Sequence, residues 1–366
     1  MTRPFTRSPH LVTLIAEVER LAARLAAADP EARQRLREQQ VLAAARASLA
    51  LDGARAAAML DPEVATARAR QAGRAGDASC GTSTEVAHSR RTRATWLDTF
   101  GALDDPEEDL VAALELLGVR TADDSDDLVD AVLPEAATVL PELHRRLTRG
   151  LVAPERAGAL RQVEQAVHDG ATGRIVFRAA PPGELPREVS LLGAWLASTG
   201  AREHGLVASG ILHLELLRLH PFDAANGRLA RAAARLVLRS RELDPDHLAV
   251  PEVALGRDLL GYHEEVARTL RRRDATIWLE RWAEAVAAGL RLSTRIAGLH
   301  TSDPAPAAAD FAASSATFTI TELRAELGVG PEGARAHVDA LLDAGLIERV
   351  PASRGLRFET SHATTA

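Results

Sequence analysis

The chain is poor in the residues that build stapled, sheet-rich or membrane-spanning proteins. Cys80 is its single cysteine, so no internal disulfide and no cysteine-based metal cluster forms. Aromatic residues make up 3%. Its hydrophobicity rests on Ala, Leu and Val, which with so few aromatics points to a mainly helical protein. No apolar run approaches the ~20 residues that span a bilayer. Glu17 and Glu19 interrupt the apolar stretch that starts at Leu11, so the N-terminus does not read as a signal peptide. A cytoplasmic protein without a membrane partner is expected. Positive charge is also not in excess. A formal net charge of -7 argues against a protein whose main task is holding nucleic acid.

The 366 residues suggest two or three units. Leu11, Leu14, Ile15, Val18, Leu21 and Leu25 follow helical spacing over 11–27. Asp29-Pro30 reads as an N-cap with proline at the first helical position. The second helix then runs to about Leu51 and closes at Asp52-Gly53. Residues 61–95 carry no clear pattern. The stretch 104–130 holds eleven acids against Arg120 alone and reads as a solvated loop around a short helix. Helical spacing resumes through Leu133, Leu140, Leu143 and Leu147. Gly173 to Arg178 is strand-like, and Pro181-Pro182-Gly183 ends it. Further helices are expected at 187–198, 206–219, 228–243 and 274–296. Residues 301–316 read as a linker. Thr321–Leu327 and Pro331–Ala344 then form a helix–turn–helix, followed by a hairpin of Leu346–Val350 and Leu356–Glu359. That order is a winged helix.

Chemistry concentrates in 206–231. An apolar helix ends at His220-Pro221, because proline disfavours helix for the residue before it. Ala225-Asn226-Gly227 turns into a new helix, whose first N–H groups and partial positive charge suit an anion. Gly227 lets the backbone approach a ligand. Arg228 and Arg231 lie three apart and offer guanidinium forks to phosphate. His220 stands at the mouth as a candidate general base.

This segment resembles the Fic motif His-Pro-Phe-x-(Asp/Glu)-Gly-Asn-Gly-Arg-x-x-Arg. His220, Pro221, Phe222, Asn226, Gly227, Arg228 and Arg231 match it at the right spacing. Ile211–Leu219, Leu143–Leu147 and Gly158–Arg161 resemble the family's approach helix and upstream landmarks, and 174–178 lies where the family has its flap. The resemblance covers roughly 11–298. It implies transfer of AMP from ATP to a hydroxyl of a target protein, with pyrophosphate released. His220 would deprotonate the hydroxyl, Asn226, Gly227 and Arg228 would hold the phosphates, and Arg231 would reach the terminal one. Phe222 would anchor the loop. Two positions depart from the motif. The acid that holds Mg²⁺ in the family is Ala224 here, which leaves Asp223, one position early, as the remaining candidate ligand. The following glycine is Ala225. Transfer of a phosphate-linked group is therefore the broader expectation.

Ser48-Leu49-Ala50-Leu51-Asp52-Gly53 resembles the inhibitory motif of self-restrained members, in which the acid pairs with the second arginine of the Fic motif. Ser48, Asp52 and Gly53 are its candidate residues. Residues 317–360 hold seven acids and five arginines, so DNA reading and docking on the core both remain open for the C-terminal unit. The expected fold is mainly α, a Fic-type helical core with a small β-hairpin flap plus a C-terminal winged helix-turn-helix. Its parts are 1–110 with the inhibitory helix, 111–298 as the core, 299–316 as linker and 317–360 as winged helix. The expected function is a self-inhibited protein adenylyltransferase using ATP. Its alternative is a catalytically weak regulator that binds DNA through the winged helix. The target protein is unknown, and assembly as a homodimer is left open.

Overall fold

The computed structural model describes residues 3–51, 106–168, 175–244, 246–299, 304–350 and 357–360. Asp52 and Gly53 lie outside the described residues.

The protein is mainly helical. α1 (Pro9–Ala26) opens on Ser8, whose hydroxyl accepts from Leu11 N. α2 (Pro30–Leu51) opens on Asp29, whose carboxylate accepts from Ala32 N at 2.9 Å, as the Asp-Pro pair predicts. α3 (Pro106–Asp123) and α4 (Ala136–Leu147) follow. Strands β1 (Ala166–His168) and β2 (Ile175–Arg178) pair antiparallel, with Val167 opposite Phe177. α5 (Leu185–Trp195) leads to α6 (Gly205–Leu219) and α7 (Asn226–Ser240). α8 (Pro251–Arg257), α9 (Leu259–Arg272) and α10 (Thr276–Ile296) complete this part. The sequence reading missed α8 and α9. Proline at the first position starts α8, and Asp258 caps α9 by accepting from Gly261 N.

One continuous hydrophobic cluster runs through α1, α2, α4, α6, α7 and α10. Almost every residue of α6 is buried. A helix apolar all round lies inside a protein rather than on its face, and α6 delivers His220 from the centre of the core. The N-terminal helices share this core with residues 111–298.

The acidic stretch departs from expectation in part. Asp124, Asp126, Asp127 and Asp130 are exposed as expected, but the helix, α3, spans 18 residues. Asp123 is 5% exposed and accepts from Arg235 Nη1 at 3.1 Å. Asp126 binds Arg239. Paired charges are the kind that enter an interior.

The C-terminal part also corrects the reading. Residues 299–316 are not all linker, because α11 (Pro306–Ser314) lies within them and packs Ala308 and Ala312 into a second core. That core includes Phe318, Leu323, Val338, Leu341, Ile347 and Phe358. The expected helix–turn–helix is α12 (Ile320–Leu327) and α13 (Pro331–Asp343). The sheet is β3 (Thr317–Thr319), β5 (Arg357–Thr360) and β4 (Ile347–Arg349), in that order and antiparallel. Strand β3 was not foreseen.

This unit is docked on the rest. Arg24 in α1 donates to Asp343 in α13 at 3.0 Å. Glu17, read above as an interruption of an apolar stretch, accepts from Arg291 Nε at 2.7 Å and from Arg349 Nη2 at 2.6 Å. Burial alone would raise its carboxyl, and the two guanidinium groups outweigh it, holding it at about 2. A cleft of about 820 Å³ opens beside this contact, so buried charge rather than continuous apolar packing joins the two parts. Among the described residues no helix is long and apolar enough to cross a membrane.

Removing one partner of a buried ion pair costs about 3–5 kcal/mol, because the other charge stays buried. Glu17→Ala is expected to lose that much in denaturant unfolding. A loss below about 1 kcal/mol, the value of an exposed pair, would contradict a buried triad.

Candidate active site

The site forms where α6 ends. Helix ends leave carbonyl groups without helical donors, and here each of the last four is accounted for. His220 N donates to Leu216 O at 2.9 Å. The His220 ring donates from Nδ1 to Leu217 O at 2.5 Å. Ala180 N donates to Arg218 O at 3.1 Å. Arg161 Nη2 donates to Leu219 O at 3.1 Å. His220 itself is left-handed, with φ 42°, a conformation that costs a side-chain-bearing residue roughly 1–2 kcal/mol.

A carbonyl oxygen only accepts, so the bond to Leu217 fixes the proton of His220 on Nδ1 and leaves the lone pair on Nε2. That is the tautomer a general base needs. Phe177 of β2 meets the ring edge-on at 5.9 Å, which brings the hairpin to the imidazole.

The loop 221–225 is held from several sides. Phe222 is buried and stacks on His144, with centroids 4.2 Å apart. Gly158 N donates to His144 Nδ1 at 2.8 Å, so His144 Nε2–H donates to Ala224 O at 3.1 Å. Burial, with Arg228 nearby, lowers the His144 pKa to about 4. The ring is neutral at neutral pH. Asn226, expected to hold phosphate, spends its amide on the loop. Its Oδ1 accepts from Phe222 N at 3.0 Å and its Nδ2 donates to Phe222 O at 2.8 Å.

Gln165 was missed by sequence reading. It donates to Asp223 O at 2.9 Å and accepts from Asn226 Nδ2 at 3.4 Å. Arg156 was missed as well. It donates to the Asp223 carboxylate from Nε at 2.9 Å and pairs from Nη2 at 2.6 Å. Both partners lie about sixty residues away in sequence, and no local spacing announces them.

This bears on the metal. Mg²⁺ takes oxygen ligands, usually one or two carboxylates plus substrate phosphate. Ala224 presents a methyl group at the family's ligand position, and Arg156 binds the Asp223 carboxylate. Among the described residues no group of three or more His, Cys, Asp or Glu could hold a metal ion. The residues present offer no carboxylate at 224 for a protein-held Mg²⁺, and the candidate ligand Asp223 is paired with Arg156.

α7 starts directly after the loop. Its N-cap Ala225 is left-handed, φ 56°, and no side chain caps the helix. The first-turn N–H groups and the helix dipole thus face the loop. Arg228, Arg231, Arg235 and Arg239 run along the helix. Arg228 lies 3.7 Å from Glu115 of α3. Arg231 is 2% exposed and donates from Nε to Ser48 Oγ and from Nη2 to Ser48 O, both at 2.8 Å. α2 therefore places Ser48 on the arginine that the resemblance assigned to inhibition.

Residues 136–238 match the Fic/DOC family. The crystal structure of a Fic family protein from Desulfovibrio desulfuricans G20 resembles the fold over 100% of both chains, with 22% identity and a TM-score of 0.57. A uridine 5'-monophosphate transferase of Xanthomonas campestris pv. campestris (strain 8004) is 38% identical over 74 residues. That match covers 19% of this chain and 14% of the relative's length.

Glycine reaches the left-handed region without penalty, although it loses about 0.5–1 kcal/mol in chain entropy elsewhere. Ala225→Gly is expected to stabilise the protein by roughly 0.5–1 kcal/mol, read as a higher denaturant midpoint. A lower midpoint would mean that the methyl group contributes more through packing than it costs in strain.

Proposed function

The chain carries a Fic/DOC-family domain at 136–238, and on that footing we propose that it is a nucleotidyltransferase which moves AMP from ATP to a hydroxyl side chain of a target protein. The observation that carries this reading is the His220 tautomer. Nδ1–H is committed to Leu217 O, so Nε2 is the proton acceptor, at the mouth of an uncapped helix N-terminus beside Arg228.

The reaction balances without a further reactant. Nε2 takes the proton of the target hydroxyl as its oxygen attacks the α-phosphorus. The bond from that phosphorus to the β-phosphate bridging oxygen breaks, and pyrophosphate leaves. The N–H groups at Asn226, Gly227 and Arg228 offset the charge developing on phosphate, the kind of preorganised stabilisation that usually dominates catalysis. No step uses a protein-bound metal. The relative named as a uridine 5'-monophosphate transferase supports transfer of a phosphate-linked nucleotide.

The resting enzyme is self-restrained on this reading. Arg231 serves the terminal phosphate, and α2 withholds it by giving it Ser48. Asp52, four residues on in sequence, would add the charged half of the brake. The DNA-reading regulator stays as the alternative: Asp343, tied to Arg24, is the last residue of the second helix, while the first turns, the end that reads bases in such units, carry exposed Arg335.

Incubating the protein and its Asp52→Ala form with ATP, followed by intact-mass measurement, is the test. A gain of AMP is expected, and His220→Ala should lower the rate by about 10²–10⁴-fold, the usual share of a general base. Nucleotide binding by calorimetry should survive that change. Transfer at the unaltered rate in His220→Ala would remove His220 from the reaction.

A further inference from the structure

We propose that Arg161 is a positioning residue for the transfer reaction, in which one guanidinium fixes the His220 corner and both ends of the β1–β2 hairpin, so that base and acceptor strand share one register. The proposal rests on the nucleotidyl-transfer reading and adds a residue outside the 220–231 segment.

Arg161 is 1% exposed. Its Nε donates to His220 O at 2.6 Å and its Nη2 to Leu219 O at 3.1 Å. Nη1 donates to Val163 O at 2.6 Å, and Nη2 also donates to Ala180 O. Its own backbone N donates to Pro221 O at 3.0 Å. Leu219, His220 and Pro221 are the corner that carries the base. Val163 stands just before β1 and Ala180 just after β2. One planar group thus joins three segments of chain that come from different parts of the sequence.

The chemistry of the partners is unusual for a buried cation. None of these acceptors is a carboxylate, although a buried charge normally takes a charged partner. The carbonyl end of α6, which carries partial negative charge, and the nearby carboxylates of Glu164 and Asp223 supply the compensation. Lysine does not substitute for this, since its ammonium is a point charge and not a rigid fork with five N–H donors. A helix cap alone would need Leu219 and His220. Val163 and Ala180 go beyond a cap, and they are the two hinges of the hairpin.

The link to catalysis runs through geometry. His220 is held in a left-handed conformation, and its Nδ1–H bond to Leu217 exists only while the corner is held. The same guanidinium sets where β2 lies, and Phe177 of β2 touches the His220 ring. A shift at either hinge moves the strand relative to Nε2. Misplacing a reacting group by about 1 Å costs on the order of a hundredfold in rate.

Arg161→Lys and Arg161→Gln test this in the full chain labelled with 13C,15N-histidine. The His220 imidazole signals are assigned by their loss in His220→Ala. In the unaltered protein a single Nδ1–H tautomer is expected. In a folded Arg161 variant with an unchanged melting transition, a mixture of tautomers is expected. Self-transfer of AMP by intact mass should then fall about a hundredfold while ATP affinity by calorimetry stays the same. A folded variant that keeps the single tautomer would overturn the proposal. So would failure of both variants to fold, which would make Arg161 a clamp of the fold alone. If no form transfers a nucleotide, the transfer reading fails, and a tautomer mixture in the variant would still support Arg161 as the residue that positions the imidazole.

Discussion

The carbonyl groups at the end of α6 govern the rest of the site. They lie inside the protein, where an unpaired backbone acceptor costs about as much as a lost hydrogen bond. A second helical residue in place of His220 would have continued the helix, and Pro221 forbids that. The chain turns left-handed instead, and donors must come from elsewhere. They come from the His220 ring, from Ala180 and from Arg161. The imidazole of the candidate base is therefore one of the caps of its own helix. Its tautomer follows from backbone bookkeeping, before any substrate is considered.

The second constraint is the charge on α7. Arg228, Arg231, Arg235 and Arg239 lie on neighbouring turns, and Arg231 and Arg235 are buried. Each needs compensation from another element. α3 supplies Glu115 and Asp123, the segment after it supplies Asp126, and α2 supplies Ser48. This explains why the N-terminal helices share one core with the segment 136–238, which matches the Fic/DOC family. Arg235 and Arg239 meet carboxylates at bonding distance, and Arg231 donates to the hydroxyl and the carbonyl of Ser48.

The legible part of the site was contiguous. His220, Phe222, Asn226, Arg228 and Arg231 sit within one corner of chain, and the turn and helix-start signals match the helix end at His220 and the helix start at Asn226. Helix α6 and the hairpin strand β2 were legible from apolar spacing and flanking proline. What failed depended on distant partners. In the acidic stretch Asp124, Asp126, Asp127 and Asp130 are exposed as read, but Asp123 is buried because its partner Arg235 lies 112 residues away. Glu17 looked like a break in an apolar face, and it is the acid that seats Arg291 and Arg349. Asp223 was a candidate metal ligand by position, and its partner Arg156 lies 67 residues away. Gly158–Arg161 was noted as a landmark, yet nothing local announced that one side chain would reach carbonyls at 163, 180, 219 and 220. The brake was legible only by resemblance, since Ser48 and Arg231 are 183 residues apart.

In the proposed function the start of α7 is a triphosphate site whose last guanidinium is lent to α2. The direct measurement is calorimetric affinity for a non-hydrolysable ATP analogue and for ADP, in the unaltered protein and in Ser48→Ala. Losing the hydroxyl contact, charge-assisted and worth about 1.5–3 kcal/mol, should loosen the hold of α2 on Arg231, whose bond to the carbonyl of residue 48 remains. The preference for the ATP analogue over ADP is expected to rise about tenfold to a hundredfold in Ser48→Ala. An equal preference in both proteins would contradict the account, because Arg231 would then have no part in holding the terminal phosphate.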